Sequence, residues 1–386
     1  MSGREEHLDG SAGAGIFFAS CGMMSAAGGH LQSGGPAVKR REVTVSGRRV
    51  RTIDVHAHCV VDIRELVKAH YEANPPKPNA SGGFVPDPFV DMKRPMFMHA
   101  SSVEARLRYM DENGIDMQAV SLLPGYNYSY WADRDEAAKI VRCQNEGIAE
   151  LCANHPNRFV GLGAAAIQHP DLAAEQMQHG VKKLGLRGFE IGGSINSEEL
   201  SAAKFDPFWA KAEELGTIIF IHPDSFNAGA GRFRGNGVLD NVIGNPLETT
   251  VALSHLIFEG TLDRYPGVKI LAAHGGGFLG SYVGRSDHVA EVSPFCKPVK
   301  KPPSEYFKQQ IYCDSLVFTG EGVRHLAAQF GSDRIMLGTD YPASMSSNRM
   351  GDGRGVDTIL GAPGLSDNDK AAILGDNAAK VLGVRS

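Results

Sequence analysis

The strongest constraint in this chain is a rhythm. From Val50 onward, short β-rich apolar runs alternate with longer segments of helical periodicity, which is the pattern of parallel βαβ units. The runs expected as strands are Val50–His58, Met117–Leu123, Phe159–Ile167, Leu186–Gly192, Thr217–Pro223, Lys269–Gly275, Ile311–Val317 and Ile335–Tyr341. Between them, "SVEARLRYMDENG" sets Val103, Leu107 and Met110 at helical spacing with Gly114 as a stop, and "PFWAKAEELG" ends at Gly216. Eight such units within 386 residues, with no shift in composition between them, predict an α/β chain folded as one (β/α)8 TIM barrel over residues 48–386. An open, doubly wound sheet is the alternative.

Residues 1–47 depart from the rhythm. They are rich in Gly, Ala and Ser and are expected as a disordered tail. The stretch Ala14–Met24, with "FASC" ending at Cys21, has the look of a vestigial export signal, but Glu5, Glu6 and Asp9 stand where a basic segment belongs. Two connections are too long for simple turns. Val61–Ala100 follows strand 1 and Phe226–Asn245 follows strand 5, so in a barrel both rise from the C-terminal face, where loops build or cover a site. A third, Gly276–Gln310, carries "SPFCKPVKKPP" and is expected to project toward a partner subunit.

Composition narrows the partners. A formal net charge of -5, from 39 basic and 44 acidic residues spread along the chain, leaves no stripe for nucleic acid and no polybasic membrane anchor. No apolar run reaches the roughly 20 residues that span a bilayer. Six cysteines form no C-x-x-C pair and suggest no disulfide framework, so a reducing, cytoplasmic compartment is expected, with export through the degenerate signal as the lesser alternative. Small molecules remain as partners.

The uncommon polar residues collect at the ends of the expected strands. They are Asp54, His56 and His58 in strand 1, His222 in "IIFIHPDS", His274 in "LAAHGGG" and Asp340 in "MLGTDYP". His56 and His58 stand two apart, so on an extended strand both point one way. A buried pair of imidazoles costs desolvation energy unless something holds both, and a divalent metal does so. His56, His58, His222 and Asp340 therefore form the expected donor set for one divalent ion, zinc foremost and manganese next. A lone histidine in an apolar run would instead be a hydrogen-bonded core residue, but four donors at matching strand ends ask for a common cause.

His274 runs into three glycines that would let the backbone pass close to a ligand. It is expected as the catalytic base acting beside the metal, with a fifth donor role as the alternative. Asp54 should share the inward direction of the pair at a deeper level and orient the ligands, or act in catalysis. Cys59 alternates away from the pair and is expected to pack rather than bind metal.

Several longer runs carry a resemblance. "DVHAH", "FIHPDS", "NPLETTVALSHLIFEGTLDRYPGVKILAAHGGGFLGSYVGR" and "IMLGTDYP", in this order, resemble the decarboxylase branch of the amidohydrolase superfamily. Within it, the likeness is to aminocarboxymuconate semialdehyde decarboxylase and its relatives acting on resorcylate and carboxyvanillate. The resemblance covers Arg51 to Val384 and implies a metal-containing (β/α)8 barrel with the same four ligands and His274 as catalytic histidine. It also implies a homodimer or higher homo-oligomer in which Arg285 crosses the interface to grip a substrate carboxylate. A guanidinium suits that task because it binds carboxylate through two parallel hydrogen bonds. A further substrate arginine belongs in the first long loop. Its place falls on Phe97, and Arg94 is the nearest candidate. Asp224 and Ser225 in "HPDS" stand where relatives have other residues, so the pocket beside His222 has changed.

The implied activity is nonoxidative decarboxylation, a carbon–carbon lyase reaction, of a small carboxylated aromatic or unsaturated acid. The alternative keeps the site and changes the chemistry: a hydrolase or hydratase acting on an amide, lactone, imide or conjugated acid. A noncatalytic metal-dependent binding protein is the reading from another class.

Overall fold

The computed structural model describes residues 39–75, 89, 102–124, 128–235, 238–296, 298–343 and 353–385. Eight parallel strands pair in chain order: β1 (Ile53–Cys59), β2 (Met117–Leu122), β3 (Phe159–Ala164), β4 (Gly188–Ile191), β5 (Ile218–Ile221), β6 (Lys269–Ala272), β7 (Ile311–Asp314) and β8 (Ile335–Met336). The ring closes through the residues just after β8. Ala57 bridges in parallel to Tyr341, Leu337 accepts from the Val55 N–H at 2.8 Å, and the Asp340 N–H donates to the His56 carbonyl at 2.8 Å. The chain is thus the expected (β/α)8 barrel.

The helices that cover it include α1 (Arg64–Ala73), α2 (Val103–Asn113), α3 (Arg134–Asn154), α4 (Pro170–Lys183), α5 (Asp206–Leu215), α6 (Asn245–Phe258), α7 (Val283–Val292), α8 (Pro303–Gln309), α9 (Gly320–Phe330) and α10 (Asn377–Leu382). Local signals explain their ends. Ser102 caps α2 by accepting from the Ala105 N–H at 3.2 Å, and Gly114 stops it in the left-handed region at φ 71°. A Cβ on Gly114 would also sit 2.7 Å from Val43, so no other residue fits this stop.

Two apolar layers result. Ile53, Val55, Ala119, Leu162, Phe220, Leu271 and Met336 fill the barrel interior, joined by Ala378, Ala379 and Leu382 of α10. Between sheet and helices lies a second, larger layer with Ala57, Cys59, Phe189, Ile221, Trp209 and Phe330. The parity of β1 therefore changes along its length. Ile53 and Val55 face inward, whereas Ala57 and Cys59 face the helices. The cause is a register shift between Asp54 and Ala57 where β1 pairs with β2.

That shift corrects one expectation. Asp54 does not share the inward direction of His56 and His58. It meets Gln118, which in turn accepts from Arg106 of α2 at 3.0 Å. Arg106 is fully buried, donates also to the His58 carbonyl, and lies 4.4 Å from the centre of the Tyr341 ring. A buried arginine from a helix thus braces the bulge from behind.

The expected tail divides in two. Residues 1–38 lie outside the described residues. Residues 39–47 belong to the folded body: Thr44–Val45 pairs with Arg48–Arg49 as a hairpin, and Val43 and Val45 are buried. Of the two long loops, the first holds α1, and most of its remainder, with Arg94, Phe97 and His99, lies outside the described residues. The second holds a 3-10 segment, Asn227–Arg232, and a π-helical turn, Asp240–Gly244, that runs into α6.

Candidate metal centre

Strand ends bring four donors together. One ligand atom from each of His56, His58, His222 and Asp340 lies within 4.8 Å of all the others. The rings of His56, His58 and His222 stand edge to face at centroid distances of 4.9–5.0 Å. Asp340 Oδ1 lies 3.5 Å from His56 Nε2 and 3.4 Å from His58 Nε2.

The opposite ring nitrogens fix which atoms are offered. His56 Nδ1 donates to Asp314 Oδ2 at 2.6 Å, and His222 Nδ1 donates to the Pro223 carbonyl at 2.8 Å. His58 Nδ1 lies 3.1 Å from both the Ser121 hydroxyl and the Leu122 carbonyl. Each Nε2 is buried with no hydrogen-bond partner among the described residues. Three buried acceptors aimed at one point, with a carboxylate beside them, are costly unless a cation completes them. Imidazole nitrogen and carboxylate oxygen are the donors that a divalent metal takes, so the residues present fit such an ion.

Asp314 was not singled out by sequence, yet it organises half of this site. Its carboxylate accepts from His56 Nδ1, from the backbone N–H of His274 at 2.9 Å, and from those of Gly275 and Leu316 at 2.8 and 3.0 Å. Burial pushes its carboxyl up, but the His56 hydrogen bond and charge outweigh this and hold it below the usual range. Gly338 is forced by the same contact, since a Cβ there would stand 2.7 Å from that of Asp314 and 3.0 Å from that of His56. The signal for Asp314 was present in "IYCDSL": a lone carboxylate ending an apolar strand.

Asp54 supports the site from the helix side. It accepts from the His56 N–H and the Thr339 N–H, each at 3.1 Å, from the Thr339 hydroxyl at 2.7 Å and from Gln118 at 3.0 Å. The carboxylate therefore clamps the residue before Asp340 to the residue that offers a metal donor. It has no place among the grouped ligand atoms. Cys59 faces the outer layer as expected, and burial pushes its thiol up to about 12.

His274 stands beside the cluster, its ring 5.4 Å from that of His56 and 5.1 Å from that of His222. It takes a left-handed φ of 55°, and its Nδ1 is buried with no hydrogen-bond partner among the described residues. Burial and the His56 charge lower its imidazole to about 4. The three glycines after it serve another purpose than expected. Their close approaches are to the protein itself: a Cβ on Gly277 would lie 2.2 Å from the Pro246 carbonyl, and one on Gly275 would lie 2.7 Å from Val317. All three have positive φ, so they fasten the His274 turn against α6 and the loop after β7.

Arg285 lies on α7 and is not among the grouped donors. It is exposed and has no ion pair or hydrogen-bond partner among the described residues. No residue of α7 is buried, and Tyr282, Val292 and Phe295 around it are 61%, 60% and 91% exposed. Arg94 lies outside the described residues.

The β4–β5 side of the mouth is acidic. Glu190 is the next-to-last residue of β4, and its Oε1 accepts from the Tyr128 hydroxyl at 3.0 Å while Oε2 stands 3.6 Å from His58 Nδ1. Asp224 follows His222 by two residues and is exposed, though protein crowds its carboxyl. That crowding, with the charges of Asp240 and Glu190, raises its carboxyl to about 6. Tyr128 and Tyr130 stack 5.2 Å apart next to this wall.

Known proteins share this arrangement of the chain. The amidohydrolase family profile matches residues 53–384. The chain is 30% identical over 283 residues to 2-amino-3-carboxymuconate-6-semialdehyde decarboxylase of Dictyostelium discoideum, covering 73% of this chain and 76% of that protein. It is also 30% identical over 279 residues to gamma-resorcylate decarboxylase of Rhodococcus jostii, covering 68% and 84%. In structure it is similar to 5-carboxyvanillate decarboxylase from Sphingomonas paucimobilis, with a TM-score of 0.75 at 25% identity over 87% of this chain and 100% of that one. A dihydroxybenzoic acid decarboxylase from Polaromonas, solved with bound manganese and the inhibitor 2-nitroresorcinol, gives a TM-score of 0.72 at 25% identity over 86% and 97%. With a profile match that runs from the first residue of β1 to the end of the described barrel, this chain belongs to the amidohydrolase family.

Proposed function

We propose that this chain is a metal-dependent nonoxidative decarboxylase of a small carboxylated aromatic or unsaturated acid. The observation that carries the reading is the convergence of three partnerless imidazole nitrogens and Asp340 beside an unengaged His274 Nδ1, in a barrel whose relatives are named as decarboxylases. His56, His58, His222 and Asp340 would hold one divalent ion, zinc or manganese, and the manganese in the Polaromonas enzyme supports the second. When bound, the ion supplies a positive charge that stabilises the electrons left on carbon as CO2 departs.

The chain's own residues do the rest. Asp314 holds His56 with Nε2 turned toward the substrate side, and the same carboxylate pins the backbone of His274. His274 holds a proton at Nδ1 and moves it as the carbon–carboxylate bond breaks and a carbon–hydrogen bond takes its place. Its fixed turn keeps that nitrogen at one distance from the donors. Arg285 of a second copy grips a substrate carboxylate, which the exposed, unpaired guanidinium on α7, a helix that buries none of its residues, supports. The exposed apolar side chains around it suit a homo-oligomer interface. Among the described residues no helix is long and apolar enough to cross a membrane, and Cys59, Cys143, Cys152, Cys296 and Cys313 are free thiols, which agrees with a cytoplasmic setting.

The test is a screen of carboxylated phenols and muconate semialdehydes with the metal-loaded protein, reading CO2 and ring absorbance together. CO2 released in step with loss of the acid is the expected result. Products of water addition without CO2 would overturn the reading in favour of the hydrolase or hydratase chemistry.

A further inference from the structure

The end of the barrel opposite the metal donors is basic. Arg51 comes just before β1, Asp116 just before β2 and Asn157 just before β3, and together with Arg40 and Arg49 they line a cavity of about 480 Å³. Strand β1 separates Arg51 from His58 by roughly 20 Å, at about 3.3 Å per residue. The side chains of Arg40 and Arg49 are 41% and 38% exposed, so the cavity opens to solvent.

Asp116 is the one carboxylate in that lining, and both its oxygens are taken. Its Oδ1 accepts from Arg40 Nη2 and, at 2.6 Å, from Arg49 Nη2, while Oδ2 accepts from the Thr52 N–H at 2.8 Å. Two guanidiniums thus share a single oxygen. Arg51 has no ion pair among the described residues: its Nη1 donates to the Arg385 carbonyl, and its Nη2 lies 3.8 Å from the Met117 sulfur, a weak acceptor. Asp111 brings no relief, because Arg158 Nη2 holds its Oδ1 at 2.8 Å while Arg40 Nε stays 3.9 Å away. Three guanidiniums against one carboxylate leave the lining with two positive charges in excess, and adding Arg158 and Asp111 leaves the same excess. A guanidinium carries five N–H donors, so the fork of each arginine keeps some of them for a ligand.

We propose that this cavity binds a phosphate group, free or carried on a small molecule, through Arg40, Arg49 and Arg51. A phosphate ester carries a charge of about −1.5 to −2 at neutral pH and three strong acceptor oxygens, which match the excess charge and the three guanidiniums. The planar fork of arginine suits it, because paired N–H groups meet two phosphate oxygens at once. A cavity of this size holds the phosphate with a modest organic group. Arg40 and Arg49 belong to the N-terminal hairpin segment and Arg51 leads into β1, so the bound anion fastens the hairpin to the barrel and stabilises the fold from the end away from the chemistry.

The experiment titrates metal-loaded wild type, Arg51→Gln and Arg49→Gln with inorganic phosphate, phenyl phosphate and succinate, at an ionic strength matched with chloride. Calorimetry reads affinity, thermal unfolding reads Tm, and metal content is followed in each sample. Wild type should bind phosphate and gain Tm as its concentration rises, and succinate should bind at least about 10-fold more weakly. Each arginine variant should lose about 10- to 100-fold in phosphate affinity, as removal of charge-assisted hydrogen bonds provides, and keep its metal. With two variants, one that misfolds does not end the test. Tighter binding of phenyl phosphate than of inorganic phosphate assigns the site to an ester, and equal binding assigns it to phosphate itself. No binding beyond that of chloride, or succinate bound as tightly, overturns the proposal. So does a phosphate affinity unchanged in a folded variant, which would place the anion on the metal.

Discussion

Two sets of carboxylates meet at the mouth of this barrel, and they are supplied with donors in opposite ways. Asp54 on β1 and Asp314 at the end of β7 each accept four hydrogen bonds. In the loop after β5, Asp240 accepts one hydrogen bond, from Ser225, and Asp224 none among the described residues. The residue type is the same. A carboxylate saturated by backbone and side-chain donors is part of the frame and holds other residues in place, while one with few protein donors holds little. The comparison assigns the first pair to geometry and leaves the second outside the frame that holds the metal donors.

Asp314→Asn should have the largest effect. It weakens the acceptor for His56 Nδ1 and leaves N–H groups of the His274 turn short of partners, so metal affinity should fall about 10- to 100-fold and stability by about 2–3 kcal/mol. Metal titration and urea unfolding measure both, and an unchanged metal affinity would remove Asp314 from its ordering role. Asp54→Asn should cost about 1–3 kcal/mol of stability yet retain metal at saturation, because Asp54 braces the strand from behind. Loss of metal at saturating concentration would place it nearer the ion than its contacts indicate.

How much of this was legible in the sequence depends on whether alternation held. His56, His58, His222 and Asp340 could be found because each ends a strand whose apolar run makes a polar residue conspicuous. Asp54 was misdirected because the register shift before Ala57 changes the parity of β1, and no residue in "TIDVHAH" announces a bulge. Asp314 and Glu190 carried the same signal as the histidines, a single charge at or one residue before the end of an apolar strand, in "IYCD" and "GFEI". They were passed over because a carboxylate in a strand is a weaker flag than an imidazole pair. The role of the glycines after His274 depends on which helix packs there, and spacing along one chain does not hold that information.

Smaller effects sharpen the contrast further. Cys59→Ala should leave metal stoichiometry unchanged and cost about 1 kcal/mol, the loss of a small buried side chain; a drop in bound metal would mean that the thiol is turned inward. Asp240→Asn should be the mildest change and of opposite sign, since it relieves repulsion on Asp224 while keeping an acceptor for Ser225. Stability should hold or rise by up to about 1 kcal/mol. A clear destabilisation in the same unfolding assay would show that Asp240 belongs with the saturated carboxylates.

The most direct test of the account compares metal content with CO2 release in His274→Asn. The protein should keep its divalent ion at wild-type stoichiometry and lose about 100-fold or more of its decarboxylation rate, because the donors are intact and the proton carrier is gone. If the variant instead loses the ion together with activity, His274 is a metal ligand and the division between donors and proton carrier is wrong.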